Sequence, residues 1–264
     1  MTELGKLSNE QIARFMERGF VHLPGVVPPH LTASGQRVIW SDLKMSPDDP
    51  STWTEPVQRL IPSDPRPFAA AFNSPGLSAA FDQLVGEGRW LTRPHLGIFV
   101  VRFPGERDPG DTGWHIDTSF PPEDAPDADF SKWRVNVSSR DRGLLMLFLF
   151  SKVTEDDAPT RIRVGSHGDV PSVLAAAGPN GMTGTEASVL AEQASSSRPV
   201  TTATGESGDV YLCHPFLVHA AQRAKGAAPR LMAQPPLAIR APFDVSGGDN
   251  TGSPVQICIR DGLR

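Results

Sequence analysis

The chain has 264 residues, of which 39% are hydrophobic, so it is long enough for one large domain with a full core. Its formal net charge of -5 leaves no basic excess for nucleic acid or an anionic membrane surface, and we therefore expect a small-molecule partner. A basic start followed by an apolar run, a membrane-length apolar stretch and a Cys-x-x-Cys pair are all absent from the sequence, so we expect a cytoplasmic protein without structural zinc.

The first third of the chain is predicted to be mostly helical. Ser8 and Gln11 have the spacing of a capping box, and the apolar face that follows ends at Gly19. Apolar spacing and proline punctuation then predict a strand over 20–23, a helix over 31–43, an irregular surface segment over 45–68 and a helix over 77–85.

Beyond residue 95 the pattern changes from helical to extended. Short runs rich in apolar and β-branched residues predict strands over 96–103, 144–150, 161–164, 210–213, 217–222, 230–237 and 255–260. Because no predicted helix alternates with these strands, we expect a mainly β sandwich or barrel behind the N-terminal helices. We treat 1–264 as one domain, with a helical front over 1–92 and a β core over 93–264.

One long segment interrupts the predicted strands. Residues 168–208 are rich in Ala, Ser, Gly and Thr and contain one predicted helix over 186–193. A segment of this length inside a compact domain is usually functional or mobile. We interpret it as a candidate lid, with a surface insertion of no catalytic role as the alternative.

The strongest chemical signal is the pair His115 and Asp117. Alternate residues of a strand point to the same side, so an imidazole nitrogen and a carboxylate oxygen can reach one ion. Two imidazoles and one carboxylate on one face leave the other positions of the metal open, which is typical of non-haem Fe(II) oxygenases, whereas zinc more often takes a closed tetrahedron. The pair therefore predicts an iron site if the fold supplies a second histidine.

That second histidine has several candidates. A further His-x-Asp pair, His167 and Asp169, lies among turn residues, which favours a structural histidine that hydrogen-bonds near a strand exit. The remaining candidates are His22, His30, His95, His214 and His219. His219 is preferred because the small residues after it leave room for a ligand beside the metal.

Arg230 is a candidate anchor for a carboxylate. Residues 222–229 contain Gly226 and Pro229 and are predicted to form a hairpin turn, which would place Arg230 on the strand next to that of His219, about 4.8 Å away. A guanidinium there would pair with a carboxylate held beyond the metal, with a surface arginine as the alternative. Fe(II), one aspartate, a dicarboxylate dianion and one arginine sum to no net charge, which favours 2-oxoglutarate because uncompensated buried charge is costly.

Four segments taken together indicate a family: residues 7–27, the motif Trp-His-Ile-Asp at 114–117, residues 157–167, and residues 208–230. The chain resembles the phytanoyl-CoA dioxygenase family of Fe(II)/2-oxoglutarate-dependent oxygenases. The resemblance implies a double-stranded β-helix, the cupin-like jelly-roll barrel. It also implies a catalytic iron on His115, Asp117 and His219, with 2-oxoglutarate bound by Arg230 and flanked by Trp133.

The chain departs from the family pattern at two places. Ala158 stands where a glycine is common, and 168–208 is a long insertion. For Trp133 a core tryptophan is the alternative to a co-substrate contact. These departures concern the substrate mouth and leave the expected metal ligands unchanged.

The resemblance also implies a reaction. O2 and 2-oxoglutarate would be consumed, succinate and CO2 released, and a C–H bond of a small molecule oxidised, with a secondary-metabolite intermediate as the expected substrate. Hydroxylation is expected, while desaturation, epoxidation and ring formation remain open. Asp117 argues against halogenation, because related halogenases have a small residue in place of the carboxylate.

Two other functions remain as alternatives. The same three ligands would suit a zinc-dependent hydrolase that activates water, and a jelly roll can also be a catalytically silent binding module. Candidate contacts for the substrate are Arg140, Arg161, Arg163 and Phe120, each with an ordinary structural role as the alternative.

Overall fold

The computed structural model describes residues 6–247 and 251–264. The prediction that the chain does not start with a basic segment and an apolar run concerns the first five residues in part, and these lie outside the described residues. The helices are α1 (Asn9–Arg18), α2 (Pro29–Leu43), α3 (Arg66–Phe72), α4 (Pro75–Val85), α5 (Val170–Ala175), α6 (Gly184–Ala194) and α7 (Pro254–Asp261). The strands are β1 (Phe20–Leu23), β2 (Val57–Leu60), β3 (Phe99–Arg102), β4 (Arg134–Val135), β5 (Leu144–Leu149), β6 (Thr160–Arg163), β7 (Met182–Thr183), β8 (Val200–Ala203), β9 (Val210–Cys213), β10 (His219–Ala220), β11 (Arg230–Ala233) and β12 (Pro236–Leu237). Within the described ranges, no helix combines the length and the apolar character needed to cross a membrane.

Two antiparallel sheets carry the β part of the molecule. The larger sheet has the strand order β1-β9-β5-β11-β3-β2, with β12 also paired to β5, and the smaller has the order β10-β6-β8. Strands β4 and β7 form a separate pair. The architecture is therefore a mixture of helices and antiparallel sheets, and β1 and β2 from the helical front are integral strands of the larger sheet.

Strand β5 shows how the sequence builds two cores. Its residues are all buried because both faces are covered, so the alternation of polar and apolar residues seen in half-exposed strands is absent. Phe148 packs with the helices on one face, whereas Leu147 on the other face shares a cluster with Ile162 of the smaller sheet. The second cluster shows that the two sheets face each other.

The N-terminal helices end and dock as the sequence predicts. Ser8 and Gln11 form the capping box of α1, and Gly19 ends that helix in the left-handed region with a φ of 83°. Helix α2 crosses the sheet closely at Gly35, where an added Cβ would lie 2.5 Å from Phe150. Only glycine permits that approach, because the ring of Phe150 is itself fully buried.

The predictions for residues 45–68 and 255–260 differ from the structure. The segment 45–68 contains β2 and the start of α3, because β2 completes the edge of β3 through tertiary pairing rather than through a long apolar run. The predicted strand over 255–260 is wrong, since these residues form α7. Ser253 and Gln256 form the capping box at the start of this helix. Val255, Cys258 and Ile259 have the spacing of one helical face, and that face is buried.

The segment 168–208 is more ordered than predicted. Helix α6 confirms the predicted helix, but α5 and β7 precede it, and β8 pairs with β6 in the smaller sheet. Residues 200–203 are thus an edge strand of the smaller sheet, and the part outside the two main sheets ends before residue 200.

The predicted hairpin between His219 and Arg230 is wrong. His219 lies on β10 in the smaller sheet, whereas Arg230 lies on β11 in the larger sheet, paired with β3 and β5. The intervening residues cross from one sheet to the other, and the amides of Lys225 and Gly226 both donate to the carbonyl of Asp156 at this corner. The two side chains therefore belong to facing layers instead of neighbouring strands.

Candidate active site

Two histidines from distant parts of the chain are held together by their backbones. The amide of His115 donates to the carbonyl of His219 at 2.9 Å, and the reverse bond is 3.0 Å. This reciprocal pair is an isolated antiparallel bridge, and the imidazole centroids lie 4.3 Å apart. The backbone thus fixes the spacing of the two rings before any ion is bound.

Each of these rings is also oriented by its own segment. Nδ1 of His115 lies 2.9 Å from the carbonyl of Gly113, and Nδ1 of His219 lies 3.0 Å from the carbonyl of Leu217. A carbonyl can only accept, so each Nδ1 carries the proton and each Nε2 is left with a lone pair. Both rings are in the tautomer that a metal ligand requires.

Asp117 supplies the carboxylate, and a residue not anticipated from the sequence holds it. Nη1 of Arg142 donates to Oδ2 of Asp117 at 2.8 Å, and Nη2 donates to the carbonyl of Thr118 at 2.9 Å. The other oxygen, Oδ1, lies 4.0 Å from Nε2 of His219. One carboxylate oxygen is therefore bound by Arg142, while the other faces the histidines.

The electrostatics of the cluster favour the ligand forms of Asp117 and His219. Burial disfavours the charged carboxylate, but the nearby charge and the hydrogen bond of Arg142 oppose this effect, and the pKa of Asp117 is lowered. Burial, and then repulsion from His115, lower the pKa of His219 to about 4. Asp117 is thus ionised and His219 neutral near pH 7.

The three residues fit a metal ion. One ligand atom from each of His115, Asp117 and His219 lies within 4.8 Å of the others. Each of the three side chains also has a hydrogen bond on an atom other than its candidate ligand atom, and that bond fixes the orientation of the side chain. The donor set of two imidazoles and one carboxylate matches a facial site with open positions.

The cluster opens into a cavity of about 710 Å³. Its walls include the three candidate ligands, Trp133, three arginines and a group of apolar residues; the arginines are Arg59, Arg93 and Arg142. Two large apolar side chains on its wall, Ile98 and Phe130, are 51% and 57% exposed. The chamber is large enough for a drug-sized molecule beside the metal site.

Arg230 is fully buried and is not among the residues that line this cavity. It pairs with Arg102 across the sheet, and Arg102 points to the same face as Val100, which lines the cavity. Nη1 of Arg230 donates to the carbonyl of Ala158 at 2.6 Å, whereas its buried Nε has no acceptor. Burial, and then repulsion from Arg102, lower the pKa of Arg230 well below its ordinary value, so the charge there requires an anion.

Arg102 was also missed by sequence reasoning. Its Nη2 donates to Asp111 at 2.7 Å, while its Nε and Nη1 are buried without acceptors. An arginine in the otherwise apolar run of β3 was an available signal, because the alternation of a strand places it on the face of Val100. For Arg142 the sequence offered no comparable signal, since it lies after a tight turn and meets Asp117 only in the folded chain.

The other sequence candidates have structural roles. Arg161 and Arg163 both contact Trp114, with guanidinium carbons 4.8 and 4.5 Å from its ring centroid. Arg140 pairs with Glu123, and Phe120 is 1% exposed. None of these arginines or Phe120 lines the cavity that contains the metal cluster.

Four of the remaining histidines form hydrogen bonds elsewhere, and His30 is exposed. His167 bonds the carbonyl of Met16 at 2.9 Å, which confirms the structural interpretation of the second His-x-Asp pair. His22 contacts Asp209 at 2.8 Å, His95 accepts from the amide of Gly97, and His214 accepts from the amide of Phe216. Among the described residues only the cluster of His115 and its two partners has ligand spacing.

Fold and site together define a protein of mixed helices and antiparallel sheets with a two-histidine, one-carboxylate cluster in a cavity between the sheets. The chain belongs to the phytanoyl-CoA dioxygenase (PhyH) family, whose sequence profile matches residues 15–232. No curated protein sequence matches the chain.

Several solved structures are similar in fold to this chain. SnoK, described as a non-heme alpha ketoglutarate dependent carbocyclase from nogalamycin biosynthesis, shares 17% identity over 96% of this chain and 89% of its own, with a TM-score of 0.58. The epimerase SnoN, bound to Fe3+, alpha ketoglutarate and nogalamycin RO, shares 18% over 93% and 94%, also with 0.58. HygX from Streptomyces hygroscopicus, bound to nickel, 2-oxoglutarate and hygromycin B, shares 19% over 86% and 85%, with 0.52. At such identities the likeness concerns the fold.

Proposed function

We propose that the protein is an Fe(II)/2-oxoglutarate-dependent dioxygenase that hydroxylates an unactivated C–H bond of a small molecule. The observation that carries the proposal is the cluster of His115, Asp117 and His219, with both Nε2 atoms and one carboxylate oxygen turned to a common point. Iron with 2-oxoglutarate and O2 supplies the oxidising power for such a bond, with release of succinate and CO2.

The protein's own residues prepare the site for that chemistry. The backbone bridge between His115 and His219 sets the ring spacing, and Arg142 holds Asp117 by one oxygen. A metal ion held by these three side chains would have His115, Asp117 and His219 as its only protein ligands, and it would supply the chemistry of a facial site with room for a co-substrate.

We propose that Arg230 binds the distal carboxylate of 2-oxoglutarate and that Trp133 flanks the co-substrate. Arg230 supports this assignment because it is buried, has an unused Nε and has no carboxylate within ion-pair distance among the described residues. An unpaired buried cation is costly unless an anion neutralises it. Trp133 lines the same cavity as the metal cluster.

Further features of the proposal concern fold and outcome. We propose that the two facing sheets form a jelly-roll barrel within one domain over 1–264, and that α5 and α6 of the segment 168–208 cover its mouth as a lid. Asp117 argues against halogenation, because its carboxylate takes the position a halide would need. Known occupants of similar folds, nogalamycin RO in SnoN and hygromycin B in HygX, support a secondary-metabolite intermediate as substrate.

The proposal is tested by anaerobic spectroscopy. Wild-type protein given Fe(II) and 2-oxoglutarate is expected to develop the weak visible charge-transfer band of the chelate. Asp117→Ala should lose the band, and Arg230→Gln should need at least about tenfold more 2-oxoglutarate to reach half of it, since a charged hydrogen bond is removed. Arg140→Gln, which removes an arginine outside the cavity, is the matched control.

Product analysis separates the reaction classes. Succinate formed in step with an oxidised product supports the oxygenase, and the mass of that product distinguishes hydroxylation from desaturation, epoxidation or ring formation. Turnover supported by zinc without O2 would instead establish a hydrolase. Absence of the band in wild-type protein would end the dioxygenase proposal.

A further inference from the structure

One arginine of the cavity has no anionic partner. Arg59 pairs with Asp111 and Arg142 pairs with Asp117, but Arg93 has no carboxylate within ion-pair distance among the described residues. Its Nε and Nη1 donate only to two backbone carbonyls, at 3.3 and 3.2 Å, and Nη2 has no acceptor. The guanidinium is therefore oriented by the backbone while part of its hydrogen-bonding capacity stays free.

The free end of Arg93 is accessible from the cavity. Nη2 lies beside Gly97, where an added Cβ would be 3.6 Å away, and Gly97 lines the cavity without a side chain to cover it. Burial, and then repulsion from Arg142, lower the pKa of Arg93. A cation that is desolvated and repelled in this way is stabilised by an incoming anion.

The wall of the cavity that Arg93 lines is mainly apolar. Ile98 and Phe130 leave more than half of their surfaces exposed at the cavity wall, and the ring of Trp133, which lines the same cavity, lies 5.2 Å from that of Phe130. Exposed apolar surface concentrated at one cavity suits an apolar ligand body. Charge and shape therefore point to a ligand with one anionic end.

We propose that Arg93 binds the carboxylate of an apolar substrate, and so fixes which carbon of that substrate faces the metal cluster. This assignment rests on the proposed dioxygenase function. A single unpaired guanidinium matches a single negative charge, which favours a carboxylate over a phosphate dianion. The carboxylate of the substrate would form two hydrogen bonds with Arg93 only if it approached the edge of the guanidinium that includes Nη2.

The proposal is tested by binding rather than turnover. Protein loaded anaerobically with Fe(II) and 2-oxoglutarate is titrated in a calorimeter with 2-naphthoate, with 2-naphthamide, which has the same rings and no charge, and with 2-naphthyl phosphate. Wild-type protein is expected to bind the carboxylate about tenfold or more tightly than the amide, because a charged hydrogen bond forms in a partly desolvated site. The phosphate should bind no more tightly than the carboxylate.

Variants assign the preference to one residue. Arg93→Gln should bind 2-naphthoate and 2-naphthamide equally, with the amide affinity unchanged, and Arg93→Lys should retain part of the preference. Arg140→Gln should behave as wild type, because Arg140 lies outside the cavity. Unchanged circular dichroism in each variant verifies that the fold is intact.

The outcomes separate this inference from the proposed function. The charge-transfer band is recorded in the same samples: a normal band with no carboxylate preference, or a preference that survives in Arg93→Gln, overturns the role of Arg93 alone. A band lost in Arg93→Gln would place Arg93 at the co-substrate and would also overturn it. If wild-type protein has no band, the dioxygenase proposal fails, and the same titrations on metal-free protein still decide whether Arg93 selects the carboxylate.

Discussion

Replacing Arg142 with Gln is expected to weaken Fe(II) binding without touching a metal ligand. Arg142 makes two bonds that matter, one to Oδ2 of Asp117 at 2.8 Å and one to the carbonyl of Thr118 at 2.9 Å. Loss of an outer hydrogen bond to a ligand typically costs 10–100-fold in metal affinity, which is about 1.4–2.7 kcal/mol. The carbonyl of Thr118 also loses a partner in a buried setting, so the free energy of unfolding should fall by about 1–3 kcal/mol.

Metal affinity is measured by anaerobic titration with Fe(II), and stability by urea denaturation of the metal-free protein. Arg142→Lys retains the charge but cannot reach both acceptors, so its affinity should lie between those of wild type and Arg142→Gln. Arg140→Gln removes a nearby arginine that pairs with Glu123 instead, and it should bind Fe(II) as wild type does. Wild-type affinity in Arg142→Gln would refute the argument that Arg142 orients Asp117.

Three further predictions concern stability, measured by urea denaturation. Ala158→Gly should raise the free energy of unfolding by up to about 1 kcal/mol, because Ala158 has a φ of 54° and glycine tolerates that region; a loss would contradict the strain. Gly35→Ala should cost about 1–3 kcal/mol, because its Cβ would lie 2.5 Å from Phe150, whereas Gly105→Ala, with open space around its Cβ, should change little. Burial lowers the pKa of His167 from 6.5 to about 4, so the unfolded state takes up the proton first and stability should fall as the pH drops from about 6.5 to 4, by about 3 kcal/mol from this residue. His167→Gln should flatten that slope, and an unchanged slope would exclude the buried neutral histidine.

Several helices could be predicted from local sequence patterns alone. The capping box of Ser8, the stop at Gly19 and helices α2, α4 and α6 were predicted because each depends on residues only a few positions apart. Strand β2 was missed because it has no signal of its own and exists by pairing with β3. For α7 the sequence 254–261 supports both a strand and a helix, and burial against α1 and α4 selects the helix.

The three candidate metal ligands were also predictable from short spacings in the sequence. His115 and Asp117 are two residues apart, and His219 was selected by its small neighbours, so the structure only had to bring one distant segment beside another. The error at Arg230 has the opposite cause. A glycine and a proline in 222–229 are typical of a hairpin, but a corner that joins two sheets uses the same residues.

The sequence by itself determined helices α1, α2, α4 and α6, the extended character of the core that follows them and the candidate metal-binding residues, because these depend on short spacings and on side-chain chemistry. Only the tertiary structure decided which charges meet. Arg142 holds Asp117, Arg102 lies opposite Arg230, and Arg93 faces the cavity without an anion. The physical reason is that the energy of a buried charge depends on the distances to other charges and to water, and those distances are set by pairings between strands far apart in the chain.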